Sequence, residues 1–286
     1  MPELPEVEGL VRFLSGRTAG RTVAAVNVGA IGALKTFDPP VDALVGTRVV
    51  GASRHGKWID LTTTGPHLLV HLSRAGWLRW SDSLPTTPVR PGRSPLALRV
   101  RLDDGSGFDL TEQGTRKRLA VHVVAEPTDV EQVATLGVDP LSEEFTTEHL
   151  AGLATAKNQQ IKGLLRDQRS IAGIGNAYSD EILHAARMSP FALSARLDRA
   201  ELERLHGIIR DVLTAAVAEA DGKPAAQLKD AKRRGMQVHG RTGQSCPVCG
   251  DVVREVSFAD SSLQYCATCQ TGGKPLADRR MSRLLR

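Results

Sequence analysis

Four cysteines constrain this chain more than any other feature of it. Cys246-Pro-Val-Cys249 and Cys266-Ala-Thr-Cys269 hold all 4 cysteines, in a C-x2-C-x16-C-x2-C pattern near the end of 286 residues. Each close pair turns two thiolates toward one point, and two pairs complete a tetrahedral site. One pair alone would also suit redox chemistry. Two pairs together favour a single structural Zn2+ as the cofactor. Between them Val252-Val253, Val256–Phe258 and Leu263–Tyr265 read as the two strands of a hairpin. So short a segment cannot build its own core, and an ion would staple it.

Charge gathers in the same quarter. The whole chain carries +5, with pI near 9.2. Residues 222–286 hold 12 Lys/Arg against 5 Asp/Glu, so that quarter carries +7 and the remaining residues −2. Arg241, Lys274, Arg279, Arg280 and Arg283 surround the cysteines, a distribution suited to a polyanionic partner. With 41% hydrophobic residues the rest can form ordinary cores, which excludes a mainly disordered chain. No apolar run approaches a membrane span of roughly 18 residues. The start, Met-Pro-Glu-Leu-Pro-Glu, lacks the basic and apolar regions of a signal peptide. The expectation is a cytoplasmic, nucleoid-associated monomer with neither a membrane partner nor a nucleotide cofactor.

The texture changes along the chain. Val7, Leu10, Val11 and Leu14 predict a helix over 3–16, with Pro5 in its first turn. Short alternating runs at 22–29, 47–53, 57–63, 67–72, 76–80, 97–103, 106–111 and 119–124 predict a β-sandwich or barrel. The four prolines between Pro85 and Pro95 mark a loop. From about 129 the pattern is helical, at 129–136, 146–155, 158–168 and 176–187. The longest amphipathic run, 198–220, puts Leu202, Leu205, Ile208, Ile209, Val212, Leu213 and Val217 on one face. A basic stretch, Lys229–Arg234, leads into the cysteines. The domains expected are a β-rich 1–127, a helical 128–225, a finger at 236–270 and a basic tail at 271–286.

Three further constellations carry chemistry. Loss of Met1 before the small Pro2 would expose a secondary amine. A terminal amine with a pKa near 7.7–8.0 is partly neutral and nucleophilic at neutral pH, and its attack on an aldehyde carbon gives an iminium. Glu3 and Glu6 lie close enough in sequence to shuttle protons. Gly173-Ile-Gly-Asn176 between two helices lets backbone amides approach an anion, while Asn176 can cap the second helix or reach a phosphate. His55-Gly-Lys57, followed by His71-Leu-Ser-Arg-Ala-Gly76, offers a lysine to a phosphate. Read alone, each has a plainer explanation: a helix start with dipole-matched acids, a helix–turn–helix corner, a solvated strand edge.

Taken together these residues resemble the formamidopyrimidine-DNA glycosylase / endonuclease VIII (Fpg/Nei) family, over nearly the whole chain and in the family's order. The pieces are Pro2–Glu8, His55-Gly-Lys57, His71-Leu72 with Gly76, Gln160–Gln168, Ile171–Glu181, Gly240-Arg-Thr-Gly243, the four cysteines and Gln270. Leu4 favours the formamidopyrimidine branch. The resemblance implies a multidomain α+β protein: an N-terminal β-sandwich with flanking helices, a helix–two-turns–helix domain and a zinc-ribbon finger, with damaged DNA in the cleft. It implies a base excision repair enzyme that removes damaged, oxidised bases and cleaves abasic sites. Pro2 would attack C1′ to form a Schiff base, Glu3 would open the sugar ring, and Glu6 would support the amine or place a water. Lys57 and Asn176 would hold phosphates, with His71, Arg74, Arg116, Arg118 and Arg241 on the DNA. The target nucleotide would leave the stack.

The chain also departs from that family. Arg74 stands where an apolar Met usually fills the space left by the flipped nucleotide, and Arg stacks or pairs rather than wedges. The region of the family's Arg-Arg-Phe-Gly reads Thr111-Glu-Gln-Gly-Thr-Arg-Lys-Arg-Leu119, with Arg116 and Arg118 as substitutes. Ser261 replaces an Arg of the zinc hairpin, which removes a bidentate phosphate donor, and 17 residues follow Cys269. The expectation is retained catalysis with divergent substrate choice, with oxidised pyrimidines, single-stranded lesions, cross-links or mainly abasic-site cleavage all open. The competing readings are a catalytically silent damage-binding protein of the same fold and a zinc-ribbon RNA-binding factor.

Overall fold

A computed structural model describes residues 1–87, 89, 95–114, 117–258 and 261–277. The chain divides into two compact units, Met1–Leu136 with Val217–Ala231, and Gly137–Ala216 with Lys232 onward.

The first unit opens with α1 (Leu4–Thr18), followed by strands β1 (Val23–Val28), β2 (Val49–His55), β3 (Trp58–Thr63), β4 (His67–His71), β5 (Gly76–Ser81), β6 (Leu96–Leu102), β7 (Gly107–Glu112) and β8 (Ala120–Val124). They form two antiparallel four-stranded sheets, ordered β1-β6-β7-β5 and β2-β3-β4-β8. Alternation decides which side chains face inward. Ile59 and Leu61, Leu68 and Val70, Leu98, Val100 and Leu102, Phe108 and Leu110, and Val121 and Val123 all join one core with Val7, Leu10, Val11 and Leu14 of α1. On the opposite face of the second sheet Trp58, Leu69 and Val124 pack with Val130 and Val133, the latter in the short α2 (Glu131–Ala134). The strands expected from alternation are all present. The helix expected over 129–136 shrinks to four residues, because a 3-10 turn at Pro127–Asp129 precedes it.

Gly76 sets the β4–β5 turn. A Cβ there would lie 2.1 Å from the Leu72 carbonyl oxygen, to which the Gly76 N–H already donates at 2.9 Å. Gly76→Ala is expected to destabilise the first unit by about 1–3 kcal/mol, as other overpacking does. A denaturant midpoint equal to that of the parent would show that the turn relaxes freely.

The second unit contains α3 (Thr147–Ala156), α4 (Ile161–Arg166), α5 (Asn176–Ala185) and α6 (Arg199–Ala220), whose last turn belongs to the first unit. Leu202, Leu205, Ile209 and Leu213 of the expected α6 stripe are buried. The basic stretch is helical, in α7 (Leu228–Gly235). The cysteine segment forms the expected hairpin, β9 (Val253–Ser257) against β10 (Ser262–Cys266), and closes with α8 (Ala267–Thr271).

The compact units do not follow sequence order. Residues 217–231 return to the first unit because Ala220, Ala225 and Leu228 complete its core. Gly9 of α1 lets them approach: a Cβ there would lie 3.1 Å from the Ala220 Cβ and 3.2 Å from Leu228 Cδ2.

Candidate active site and nucleic-acid interface

In the first unit, Pro2, Glu3 and Glu6 are buried at the start of α1. The Glu3 N–H donates to Glu6 Oε2 at 2.8 Å, so one carboxylate satisfies a helix-terminal amide and fixes the chain beside Pro2. While Met1 remains attached, the Pro2 nitrogen is an amide. Only removal of Met1 turns it into an amine.

Lys57 is buried in the turn between β2 and β3, where Gly56 has φ 55°, a left-handed conformation that glycine adopts without steric cost. Arg54 ties this turn to α1. Its Nε donates to Glu8 Oε2 at 3.0 Å and its Nη1 to the Gly56 carbonyl at 3.3 Å. Burial opposes the Glu8 charge, but hydrogen bonds from Arg54 and Arg12 outweigh it and hold the carboxyl below its ordinary range. Arg54 and Glu8 thus connect the helix that begins at the amine to the lysine turn. The sequence reading assigned no role to Arg54. An arginine two residues before the glycine of a turn was the available signal.

His71 ends β4 and packs at a 44° tilt against Trp58, its register partner on β3, with ring centroids 4.9 Å apart. Burial first, and the charge of Lys57 second, push its pKa down to about 4. It therefore presents a neutral imidazole near neutral pH. Arg74 is exposed in the turn that follows, beside Ser73 at φ 54°. Arg118 is also exposed, and its backbone N–H donates to Glu112 Oε1 at 2.7 Å, as does that of Leu119 at 3.0 Å. The buried Glu112 thereby shapes the segment that carries Arg118. Arg116 lies outside the described residues, as do Arg279, Arg280, Arg283 and most of the Pro85–Pro95 loop.

In the second unit the Gly173–Asn176 corner is held from beneath. Gln168 Oε1 accepts the Gly173 N–H at 3.0 Å, and its Nε2 donates to the Ile174 carbonyl at 2.8 Å. Gly173 has φ 92°, in the left-handed half of the map. Gly175 takes the N-cap position that the sequence offered to Asn176, which is the first helical residue instead. Asn176 Nδ2 donates to the Ser262 carbonyl at 2.7 Å, joining α5 to the hairpin, while its buried Oδ1 has no hydrogen-bond partner. Arg241 Nε donates to Gln244 Oε1 at 3.0 Å and its Nη1 to the Met236 carbonyl at 3.4 Å.

Beneath these lies a charged cluster that sequence reasoning missed. Lys162 and Asp180 are both buried and joined at 2.6 Å. Lys162 also donates to Ser179 Oγ at 2.7 Å and to the Asn176 carbonyl at 3.2 Å. The other Asp180 oxygen meets His239 Nδ1 at 2.7 Å and accepts the Gln264 N–H at 3.3 Å. Glu181 accepts the backbone N–H groups of Gln237, Val238 and His239 at 2.7–3.0 Å. Burial raises its pKa despite those three donors. Lys162, Ser179, Asp180 and Glu181 fall within the quoted motifs while His239 and Gln264 do not, and nothing in the spacing reveals these partners.

The four cysteine sulfurs lie within 4.8 Å of one another, with Cys249–Cys266 at 3.4 Å and Cys246–Cys269 at 3.9 Å. Four ligands at about 2.3 Å from a tetrahedral ion would be separated by a similar distance, so the donor set fits zinc. Gln270 braces the site: its Oε1 accepts the Cys266 N–H at 2.9 Å and its Nε2 donates to the Met188 carbonyl at 3.0 Å. Among the described residues no helix is long and apolar enough to cross a membrane.

Known proteins resemble the chain over these same segments. Residues 1–121 match the family model described as the formamidopyrimidine-DNA glycosylase N-terminal domain, residues 136–227 its H2TH domain, and residues 243–272 the zinc finger found in FPG and IleRS. An uncharacterized formamidopyrimidine-DNA glycosylase-like protein of Mycobacterium tuberculosis is 58% identical over 155 residues, which cover 54% of this chain and 97% of that protein. The formamidopyrimidine-DNA glycosylase of Symbiobacterium thermophilum is 36% identical over 98% of this chain and 93% of its own length. The wild-type Lactococcus lactis Fpg, solved with DNA containing N7-benzyl-Fapy-dG, superimposes with a TM-score of 0.82 at 25% identity, covering 94% of this chain and 100% of that one.

Proposed function

Because this chain belongs to the formamidopyrimidine-DNA glycosylase / endonuclease VIII family, we propose that it is a base excision repair enzyme that removes damaged bases and then cleaves the abasic site. The observation that carries this reading is the start of α1, where two buried acidic residues, one bonded through its carboxylate to the Glu3 amide, follow within four positions the residue that loss of Met1 makes an amine. The Pro2 nitrogen attacks C1′ of the damaged nucleotide, and the bond to the base breaks with its electron pair leaving on the base. Glu3 protonates the ring oxygen, the sugar opens, and an iminium joins Pro2 to C1′. Removal of a proton from C2′ converts the iminium to an enamine, whose electrons then return to form the C2′–C3′ double bond as the C3′–O bond breaks and its electron pair leaves on the 3′ phosphate. Water then releases the enzyme. Glu6 holds the Glu3 amide and thereby the approach of the amine.

Lys57 and Asn176 hold the phosphates beside the lesion, and Arg74, Arg116, Arg118 and Arg241 supply further DNA contacts. His71 contributes a neutral partner rather than a cation. One zinc ion on the four cysteines keeps the finger folded. The enzyme acts as a monomer on nucleoid DNA in the cytoplasm. Arg74 and Ser261 stand where the family usually has Met and Arg, and these two changes favour a lesion preference that differs from the family's.

Borohydride trapping on an oligonucleotide with one abasic site tests the chemistry, together with the intact mass of the purified protein. A covalent complex is expected from protein lacking Met1 and none from protein that retains it, while Pro2→Gly, which still ends in a primary amine, is expected to trap less than the parent. Processed protein that binds the DNA without trapping would leave a damage-binding role instead. Phosphate contacts have their own signature. Lys57→Met is expected to make the plot of log affinity against log salt shallower by about 0.9, and an unchanged slope would remove Lys57 from the phosphate contacts.

A further inference from the structure

One face of α5 is polar along its length, and each side chain on it engages a different part of the finger or its connecting segment. Asn176 reaches the Ser262 carbonyl, Asp180 reaches His239 and the Gln264 amide, and Glu181 takes the three amides of 237–239. The fourth member is His184, eight residues after Asn176 and on the same face. Its ring is buried, and Nε2 lies 3.3 Å from Cys246 Sγ.

That contact is short for a sulfur acceptor and has one chemically sensible polarity. A thiolate only accepts, so the facing ring nitrogen must carry the hydrogen. A zinc ion with four thiolates bears a net charge of −2, and hydrogen bonds to the sulfurs offset it and make each thiolate a less basic ligand. Two of the sulfurs find donors inside the finger: the Asp251 amide faces Cys249 and the Cys269 amide faces Cys266. Cys246 takes its side-chain donor from α5, outside the finger.

We propose that His184 is a positioning residue of the metal centre, its Nε2–H donating to the Cys246 thiolate and so coupling the ion to the helix that begins at Asn176. This rests on the reading of one structural zinc. It adds to the four cysteines a neighbour that no cysteine spacing announces, and it makes retention of the ion depend on α5.

The test uses the full-length protein, its zinc content measured by atomic absorption and its zinc loss followed as colour change in a chelating dye. His184→Phe keeps a planar ring and removes the donor. His184→Gln keeps an N–H at similar reach. Loss of a ligand's hydrogen-bond partner typically weakens a site 10–100-fold, so His184→Phe is expected to release zinc about 10–100-fold faster than the parent, with His184→Gln restoring most of the difference. Release from His184→Phe at the parental rate would overturn the proposal. So would equal acceleration in both variants, which would mean that packing matters rather than the N–H. A parent protein purified without zinc would overturn the zinc reading itself, and this inference with it.

Discussion

Lys162→Met is expected to raise hydrogen exchange across α5, with a loss of local stability of about 3–5 kcal/mol, the range for removing one partner of a buried ion pair. The side chain is similar in length, so little cavity forms. The effect comes from Asp180, which is only 1% exposed and loses its 2.6 Å partner. His239 and the Gln264 amide remain on the other carboxylate oxygen, and they place the effect at the lower end of that range. The Asn176 carbonyl and the Ser179 hydroxyl lose a donor at the same time. The consequence therefore reaches the proposed phosphate ligand directly, through the Asn176 carbonyl, and the hairpin through Asp180 and the Gln264 amide. Parental protection of the α5 amides in Lys162→Met would show that water or a rearranged His239 neutralises Asp180 without cost.

Acidification offers the second large effect, in the first unit. His71 titrates at about 4 in the folded chain, against 6.5 when unperturbed. Between those values the unfolded chain binds a proton that the folded chain refuses. The unfolded state is therefore favoured as pH falls through that window, and the stabilising difference is full above pH 6.5. The shift corresponds to about 3 kcal/mol at the acid end. The three tryptophans, Trp58, Trp77 and Trp80, all lie in the first unit, so their fluorescence reports on it alone. Denaturant unfolding followed by that signal from pH 7 to pH 4 should lose stability more steeply in the parent than in His71→Asn. Other groups titrate in both proteins, and the difference isolates the histidine. Parallel pH profiles would mean that burial beside Trp58 and Lys57 does not keep the imidazole neutral.

Much of this architecture is local information, and local information is legible in a sequence. Alternation over five to seven residues decides which face of a strand is apolar, and it located all eight strands of the two sheets. The apolar stripe of α6 did the same for the longest helix. The C-x2-C pairs needed only short turns to bring their sulfurs together. The proposed roles of Pro2, Glu3, Glu6 and Lys57 rest on order along the chain and on resemblance.

Partnership across long separations was decided only by the fold. Nothing in the strand patterns says that β1 lies beside β6, or that residues after Val217 return to fill the core beneath α1. Arg54 has no assigned role until Glu8 and the Gly56 carbonyl stand beside it. Lys162, Asp180 and His239 carry no sequence sign of one another until they meet in one buried cluster, and His184 none of Cys246, which arrives from 62 positions away. Periodicity records how a segment is exposed, because exposure follows from the segment's own geometry. A hydrogen bond or an ion pair depends on which distant atom fills the remaining space, and that is settled only when the whole chain packs.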